Sequence, residues 1–167
     1  IVTDSINGVS ISAAIDTMKA LSIVRIVGHI GDYNGQKMTN FNGVVYPTIY
    51  DKKLTLSTLA NNSSSSVAAF ETWKNVVYKG KATITNGVFE FSFVVPQDIS
   101  FQYGNSRVSY YAENGAEDAQ GYSEDAIIGG IDTAAVSDGE GPDISLYMND
   151  DSFVSGGITD EDPDLFA

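Results

Sequence analysis

The chain of 167 residues contains no cysteine and a single histidine, His29. Without cysteine it has no disulfide, no thiolate ligand for a metal and no cysteine nucleophile. One histidine cannot form a histidine-based metal cluster, and no Gly-x-Ser-x-Gly motif supplies the nucleophile of a serine hydrolase. We therefore predict that this chain is not an enzyme and that His29 is an ordinary sheet residue.

Basic residues are missing from the last part of the chain, because all nine Lys and Arg residues lie at or before Arg107. Residues 108–167 carry 15 of the 22 Asp and Glu residues, and the formal net charge of the whole chain is −13. Nucleic acids and anionic membranes are polyanions, so we predict that neither is a partner. An acidic segment of this kind is solvated, binds cations or meets a basic partner.

Long apolar runs are also absent, since none reaches the roughly 20 residues of a membrane-spanning helix. We therefore predict no membrane insertion of this segment. Hydrophobic residues nevertheless make up 43% of the chain, which is typical of a folded domain. Because the first residue is Ile1 rather than Met, we expect the chain to be a segment of a longer protein.

Strand patterns dominate what is present. The clearest hairpin spans residues 79–95, where Asn86-Gly87 is the preferred pair for a type I′ turn. Phe89, Phe91 and Phe93 alternate along its second strand and predict the centre of a core. Short strands separated by turns along the chain predict an all-β fold, an antiparallel β-sandwich.

Three local patterns carry further expectations. Pro47 lies in the β-rich run 41–50 and predicts an edge strand or a bulge, because proline cannot donate to a ladder. Residues 12–21 have a weak helix pattern of one or two turns. Residues 54–59 alternate leucine with polar residues and predict another strand.

The composition of residues 137–142 (SDGEGP) is that of a linker. We therefore predict a domain over residues 1–141, and we assign residues 142–167 to the linker and the first strands of a truncated next module. In that second part, residues 144–148 and 153–154 are expected to pair around the turn at residues 149–150.

Candidate binding residues fall into two groups. Calcium prefers six to eight oxygen ligands from loop carboxylates and carbonyls, and the segment 113–125 is rich in carboxylates. The candidates for a weak calcium site are Glu113, Glu117, Asp118, Glu124 and Asp125; the alternative is a solvated acidic loop. Trp73, together with nine tyrosines, is a candidate glycan contact, and the alternative is packing at the core or its rim.

Long strings of the sequence resemble a known family. They are DTMKALS (16–22), FNGVVYPTIYDK (41–52), YKGKATITNGVFEFSFVVPQDISFQYGNSRVSYYAEN (78–114), AQGYSEDAIIGG (119–130) and GPDISLYMNDDSFVSGG (141–157). In unbroken order, they resemble the region downstream of the catalytic domain in the gingipain-related cell-surface sortases of the type IX secretion system. These sortases are cysteine peptidases.

The resemblance implies an immunoglobulin-like β-sandwich that is an accessory domain, with the catalytic Cys and His in a separate upstream domain. It implies an exported protein at the cell surface, associated with the outer membrane. The implied partners are neighbouring domains of the parent chain, secreted cargo proteins or components of the secretion system, and no cofactor is implied. The alternative function is a surface module that binds glycan or Ca²⁺.

Overall fold

The computed structural model describes residues 1–13, 16–135, 147–149, 152–154, 156–159 and 161–166. These residues form strands and turns, with no helix among them. They divide into two compact units, Ile1–Ala135 and Val136–Ala167. The boundary predicted between residues 141 and 142 falls within 136–146, outside the described residues, and it stays a prediction.

Fourteen strands build the first unit. They are β1 (Val2–Ile6), β2 (Val9–Ser10), β3 (Thr17–Ala20), β4 (Ile23–His29), β5 (Gly43–Tyr50), β6 (Leu54–Ser57), β7 (Ala69–Thr72), β8 (Val76–Lys79), β9 (Ala82–Thr85), β10 (Val88–Val94), β11 (Gly104–Asn105), β12 (Arg107–Glu113), β13 (Asp118–Ser123) and β14 (Ile127–Ile131).

Nine of these strands form one sheet in the order β13-β12-β5-β9-β10-β4-β1-β2, with β8 beside β5. All of its pairings are antiparallel. The sheet curls so that its two ends approach each other. The contact that shows this joins the hydroxyls of Thr3 in β1 and Tyr110 in β12, which are 2.8 Å apart. The all-β prediction is confirmed, and the curled antiparallel sheet is consistent with a β-sandwich.

A second sheet consists of β11, β14 and β3. Strands β14 and β3 run parallel, which the sequence did not predict. The weak helix expected over residues 12–21 is wrong, because Met18 and Ala20 are fully buried at a spacing of two residues and Thr17–Ala20 is a strand. The stabilisation from burying alternate side chains therefore outweighed the weak helix propensity of this segment.

The predicted hairpin is confirmed as β9 and β10. Asn86 and Gly87 both have positive φ, 50° and 74°, as a type I′ turn requires. Phe89, Phe91 and Phe93 are at most 7% exposed and stack along the strand. The neighbouring strand carries Gly28 beneath Phe89, and a Cβ at that position would overlap the ring. The glycine therefore allows the Phe89 ring to lie directly on β4.

Pro47 is in a central strand, so an edge position for it is wrong. Strand β5 pairs with β12 on one side, and on the other it pairs first with β9 and then with β8. The Pro47 carbonyl accepts a hydrogen bond of 3.2 Å from the amide of Gly80, one of the two residues between β8 and β9. Pro47 therefore faces the gap between β9 and β8. At this gap the ladder does not require a backbone N–H from β5.

The arm, residues 54–72, leaves the large sheet between β5 and β8. It is the antiparallel pair β6–β7 with its connecting loop, and it forms a two-stranded sheet of its own. In the second unit, β15 (Tyr147–Met148) pairs with β16 (Leu165–Phe166). The predicted pairing with residues 153–154 is therefore wrong; residues 144–146 lie outside the described part of the chain.

Candidate functional site

A shallow cleft of about 420 Å³ lies at the base of the arm. Several distant segments meet there: the two chain segments that flank the arm, strand β11 and the residue that follows β13. The residues that line it are Lys52, Lys53, Trp73, Gly104, Asn105 and Glu124. Within the first unit, this is where Trp73, the predicted glycan contact, is placed.

Trp73 belongs to a stack of cations and aromatic rings. Lys53 Nζ lies 4.2 Å from the centroid of the Trp73 ring, and the Arg107 guanidinium lies 5.0 Å from it. The same guanidinium lies 4.3 Å from the centroid of Tyr122. Cation–π contacts of this kind stabilise by roughly 0.5–1 kcal/mol at exposed positions. Much of the Trp73 ring is therefore already engaged by the protein's own cations.

Arg107 also approaches an acidic residue of the cleft, since its Nη1 lies 3.5 Å from Glu124 Oε1. Arg107 begins β12 and Glu124 follows the paired strand β13, so the two side chains are cross-strand neighbours. Sequence reasoning missed Lys53, Arg107 and Tyr122 as partners of Trp73. No local signal identifies them, because strand pairing and the return of the chain after the arm bring them together.

The indole Nε1 of Trp73 is buried and has no hydrogen-bond partner among the described residues. A buried donor without a partner is costly, so a water or a ligand oxygen at this point would be stabilised. A sugar ring that stacks on Trp73 would first have to displace Lys53 or Arg107. The glycan contact stays a prediction, and it now requires that Lys53 or Arg107 move away from the Trp73 ring.

Asp51 directly precedes the cleft residue Lys52. It is 5% exposed, and Lys52 Nζ donates to its Oδ1 at 2.6 Å while the Ser100 amide donates to its Oδ2 at 3.2 Å. Burial raises the pKa of the Asp51 carboxyl, but the hydrogen bonds from Lys52 and Ser100 outweigh burial and hold it below its ordinary value. Because Lys52 Nζ also donates to the Ser100 carbonyl, this ion pair fixes loop 96–103 against the residues that follow β5.

The five predicted calcium ligands do not converge on one point. Glu117 and Asp118 lie before and at the start of β13, whereas Glu124 and Asp125 lie beyond its end. A strand rises about 3.3 Å per residue, so about 20 Å separates the two pairs. No group of three or more His, Asp or Glu residues in the described part of the chain is placed to hold a metal ion. A calcium site in this segment therefore stays a prediction.

Several of these acidic side chains already have partners. The Tyr46 hydroxyl donates to Glu113 at 3.1 Å, and this hydrogen bond raises the pKa of Tyr46. The Ser123 hydroxyl donates to Asp125 at 3.1 Å. Glu117 and Asp118 instead line an open depression of about 620 Å³ that also contains Asp32. A calcium titration should therefore first examine binding at segment 113–118.

His29 lies on β4, and its Nδ1 is 2.8 Å from Asp4 Oδ1. Asp4 is a residue of the adjacent strand β1, so the contact joins two neighbouring strands of the sheet. His29 thus has a partner in a regular sheet, in agreement with its prediction as a sheet residue.

Comparisons of the sequence with family models and with curated proteins found no match. In a comparison with solved structures, the crystal structure of dimeric latent PorU from Porphyromonas gingivalis matches with a TM-score of 0.70. The match covers 91% of this chain at 26% sequence identity. The chain is similar to a region of PorU. It spans only 15% of the PorU chain, and the resemblance found in the long sequence strings is confirmed.

No helix in the described part of the chain is long and apolar enough to cross a membrane. The chain is thus an all-β domain that is similar to a region of PorU, without a candidate membrane helix in the described residues. Its similarity to a small portion of PorU and its lack of cysteine fit a non-catalytic segment.

Proposed function

We propose that this chain is a non-catalytic accessory domain of a PorU-related surface peptidase of the type IX secretion system. The observation that carries the proposal is the match over 91% of this chain to 15% of PorU. The absence of cysteine supports it, because a cysteine peptidase needs a thiolate nucleophile. The catalytic Cys and His would then belong to another domain of the parent protein.

In this role the domain positions the peptidase domain or contacts secreted cargo and components of the secretion system. Its location is the cell surface, as an exported domain associated with the outer membrane through the parent protein. The exposed arm and the cleft at its base support a contact role, because both lie outside the packed core of the first unit.

The test uses the parent protein with residues 1–135 deleted in frame. We expect the deleted form to cleave a soluble synthetic sorting-domain peptide at close to the normal rate, while processing of cargo at the cell surface falls. A variant of the parent that lacks its catalytic cysteine serves as the inactive control. Hydrolysis of the peptide by the isolated 167-residue chain would contradict a non-catalytic role.

A second candidate function is a glycan-binding or Ca²⁺-binding module. Trp73 lines an open cleft and its indole N–H is buried without a partner, which supports the glycan alternative. A glycan array should then show a defined sugar whose binding is lost in Trp73→Ala, whereas an array without hits favours the accessory role. Millimolar calcium should raise the melting temperature if segment 113–125 binds it, and an unchanged melting temperature would exclude that site.

A further inference from the structure

Five asparagines are followed directly by glycine: Asn7, Asn34, Asn42, Asn86 and Asn114. An Asn-Gly pair can modify itself, because the backbone nitrogen of the following residue can attack Cγ of the asparagine. Glycine permits this ring closure most readily, since it has no side chain and a wide range of backbone conformations. The reaction needs a free backbone N–H, a free carboxamide nitrogen and room for the chain to move. The fold therefore decides which pairs react.

The backbone nitrogen is already bonded in two of the pairs. The Gly35 amide donates to the Asp32 carbonyl at 2.9 Å, and the Gly87 amide donates to the Phe41 carbonyl at 2.8 Å. Attack by either nitrogen must first break a hydrogen bond of the fold. These two pairs are therefore protected at the nucleophile.

The carboxamide nitrogen is already bonded in two further pairs. Asn7 Nδ2 donates to Asp16 Oδ2 at 2.9 Å, while Asn7 Oδ1 accepts from the Arg25 amide at 2.9 Å. Asn42 Nδ2 donates to the Asn40 carbonyl at 3.3 Å. In both pairs the nitrogen that must leave as ammonia is held by the fold, so these pairs are protected at the leaving group.

The Asn114-Gly115 pair has neither form of protection. Among the described residues, neither the Gly115 amide nor Asn114 Nδ2 has a hydrogen-bond partner. Apart from its chain neighbours, Gly115 has no atom within 4 Å of the position that a Cβ would occupy. It lines an open depression of about 280 Å³, so water reaches the pair. The nucleophile, the leaving group and the space for reaction are therefore all available.

The side-chain oxygen of Asn114 is held by backbone donors. The Ala116 amide donates to Asn114 Oδ1 at 2.9 Å, and the Glu117 amide donates to it at 2.8 Å. Attack on Cγ turns this oxygen into an oxyanion, and N–H groups that already point at it stabilise the charge as it develops. Asn114 is therefore unprotected at both reacting nitrogens and assisted at its oxygen.

We propose that Asn114-Gly115 is a self-modification site at which the asparagine becomes aspartate or isoaspartate. The Gly115 backbone nitrogen loses its proton and bonds to Asn114 Cγ, and the Cγ–Nδ2 bond breaks as ammonia leaves. Water then opens the five-membered imide. Hydrolysis at the Cγ carbonyl gives aspartate, and hydrolysis at the backbone carbonyl gives isoaspartate, whose backbone is longer by a methylene group.

The modification changes the segment for which calcium binding is predicted. Either product adds a negative charge between Glu113 and Glu117. The isoaspartate form also lengthens the turn that joins β12 to β13, next to the pair of Glu113 with Asp118. This chemistry belongs to the chain itself and does not depend on the proposed accessory function.

The test incubates the full 167-residue chain at neutral to mildly alkaline pH and samples it over days. Peptide mapping by mass spectrometry measures conversion at each Asn-Gly pair, and a protein isoaspartate methyltransferase assay detects isoaspartate. A parallel sample in urea gives the rate of each pair without the fold. We expect Asn114 in the folded chain to convert within about three-fold of its rate in urea, and the other pairs at least about ten-fold slower than in urea.

Ala116→Pro tests the assistance by the backbone, because proline removes a donor to Asn114 Oδ1 and leaves the Asn-Gly pair intact. Conversion of the folded variant should slow by at least about three-fold, with its rate in urea unchanged and its melting temperature kept. An unchanged rate would overturn the role assigned to the backbone donors. The comparison within the unmodified chain needs no variant, and conversion of Asn114 no faster than that of Asn42 and Asn86 would overturn the proposal.

Discussion

Tyr110 and Thr3 show how one pair of side chains closes the curled sheet. Both are buried, and their hydroxyls are 2.8 Å apart although the residues are 107 positions apart in the chain. Burial raises the pKa of the Tyr110 hydroxyl, which therefore remains protonated. The pair is the polar link between the two ends of the large sheet.

Tyr110→Phe leaves the Thr3 hydroxyl buried without this partner. We expect the free energy of unfolding to fall by about 1–3 kcal/mol, measured by urea denaturation. The double variant Thr3→Val with Tyr110→Phe should lose less than the sum of the single variants, because no unpaired hydroxyl remains. Strict additivity of the two changes would show that the hydroxyls do not stabilise each other.

Asp51 makes part of the stability dependent on pH. Its pKa is lower in the folded than in the unfolded chain, so ionised Asp51 stabilises the fold above its ordinary pKa of about 4. This contribution is lost as the pH falls through the folded pKa. Asp51→Asn should therefore cost about 1–3 kcal/mol at neutral pH. Thermal melts should show the difference from the unmodified chain narrowing below about pH 4; a constant difference would contradict the argument.

Among the strands, local pattern predicted the β9–β10 hairpin well, because its turn residues and its alternating phenylalanines are contiguous. It predicted β6 as well, since alternating leucines mark Leu54–Ser57. It did not predict that the apolar face of β6 would remain uncovered. Alternation shows that one face is apolar, but only the path of the neighbouring strands decides whether anything packs on it.

The stack around Trp73 is the connection between the arm and the large sheet. Trp73→Ala removes the ring between Lys53 and Arg107, so amides of β6 and β7 should exchange faster, while those of β10 stay protected. Hydrogen exchange with mass spectrometry measures both in one sample. Tyr122→Ala is a milder control, because it leaves the Lys53–Trp73 contact in place. Unchanged exchange of the arm in Trp73→Ala would show that the stack does not hold it.

For the whole chain, the predicted boundary gives a direct test. A form that ends at Gly141 should keep a cooperative thermal transition, because every strand from β1 to β14 lies within Ile1–Ala135. We expect its melting temperature to change by at most a few degrees. A form that ends at Ser123 should lose the transition, since it lacks β14, the partner of β3 and β11. Loss of cooperativity in the form that ends at Gly141 would show that residues 142–167 belong to the same domain as residues 1–141.

The structure shows where the charged residues of the chain lie. Its acidic excess is spread over both ends of β13 and over the second unit, rather than gathered at one site. Five of its seven lysines lie within residues 52–81, before and after the arm but not in it. The arm therefore differs from the acidic segments by its exposed apolar side chains, Leu54, Leu56 and Phe70.

The sequence alone determined the all-β class, the central hairpin with its phenylalanine face, the strand of the arm and the likeness to a region of PorU. Each of these depends on residues that are close in the chain or on long contiguous strings. The tertiary structure decided that Pro47 is central, that the carboxylates of segment 113–125 separate, and that Trp73 stacks with Lys53 and Arg107. These outcomes depend on which strands become neighbours, and strand pairing joins residues whose separation in sequence carries no local signal.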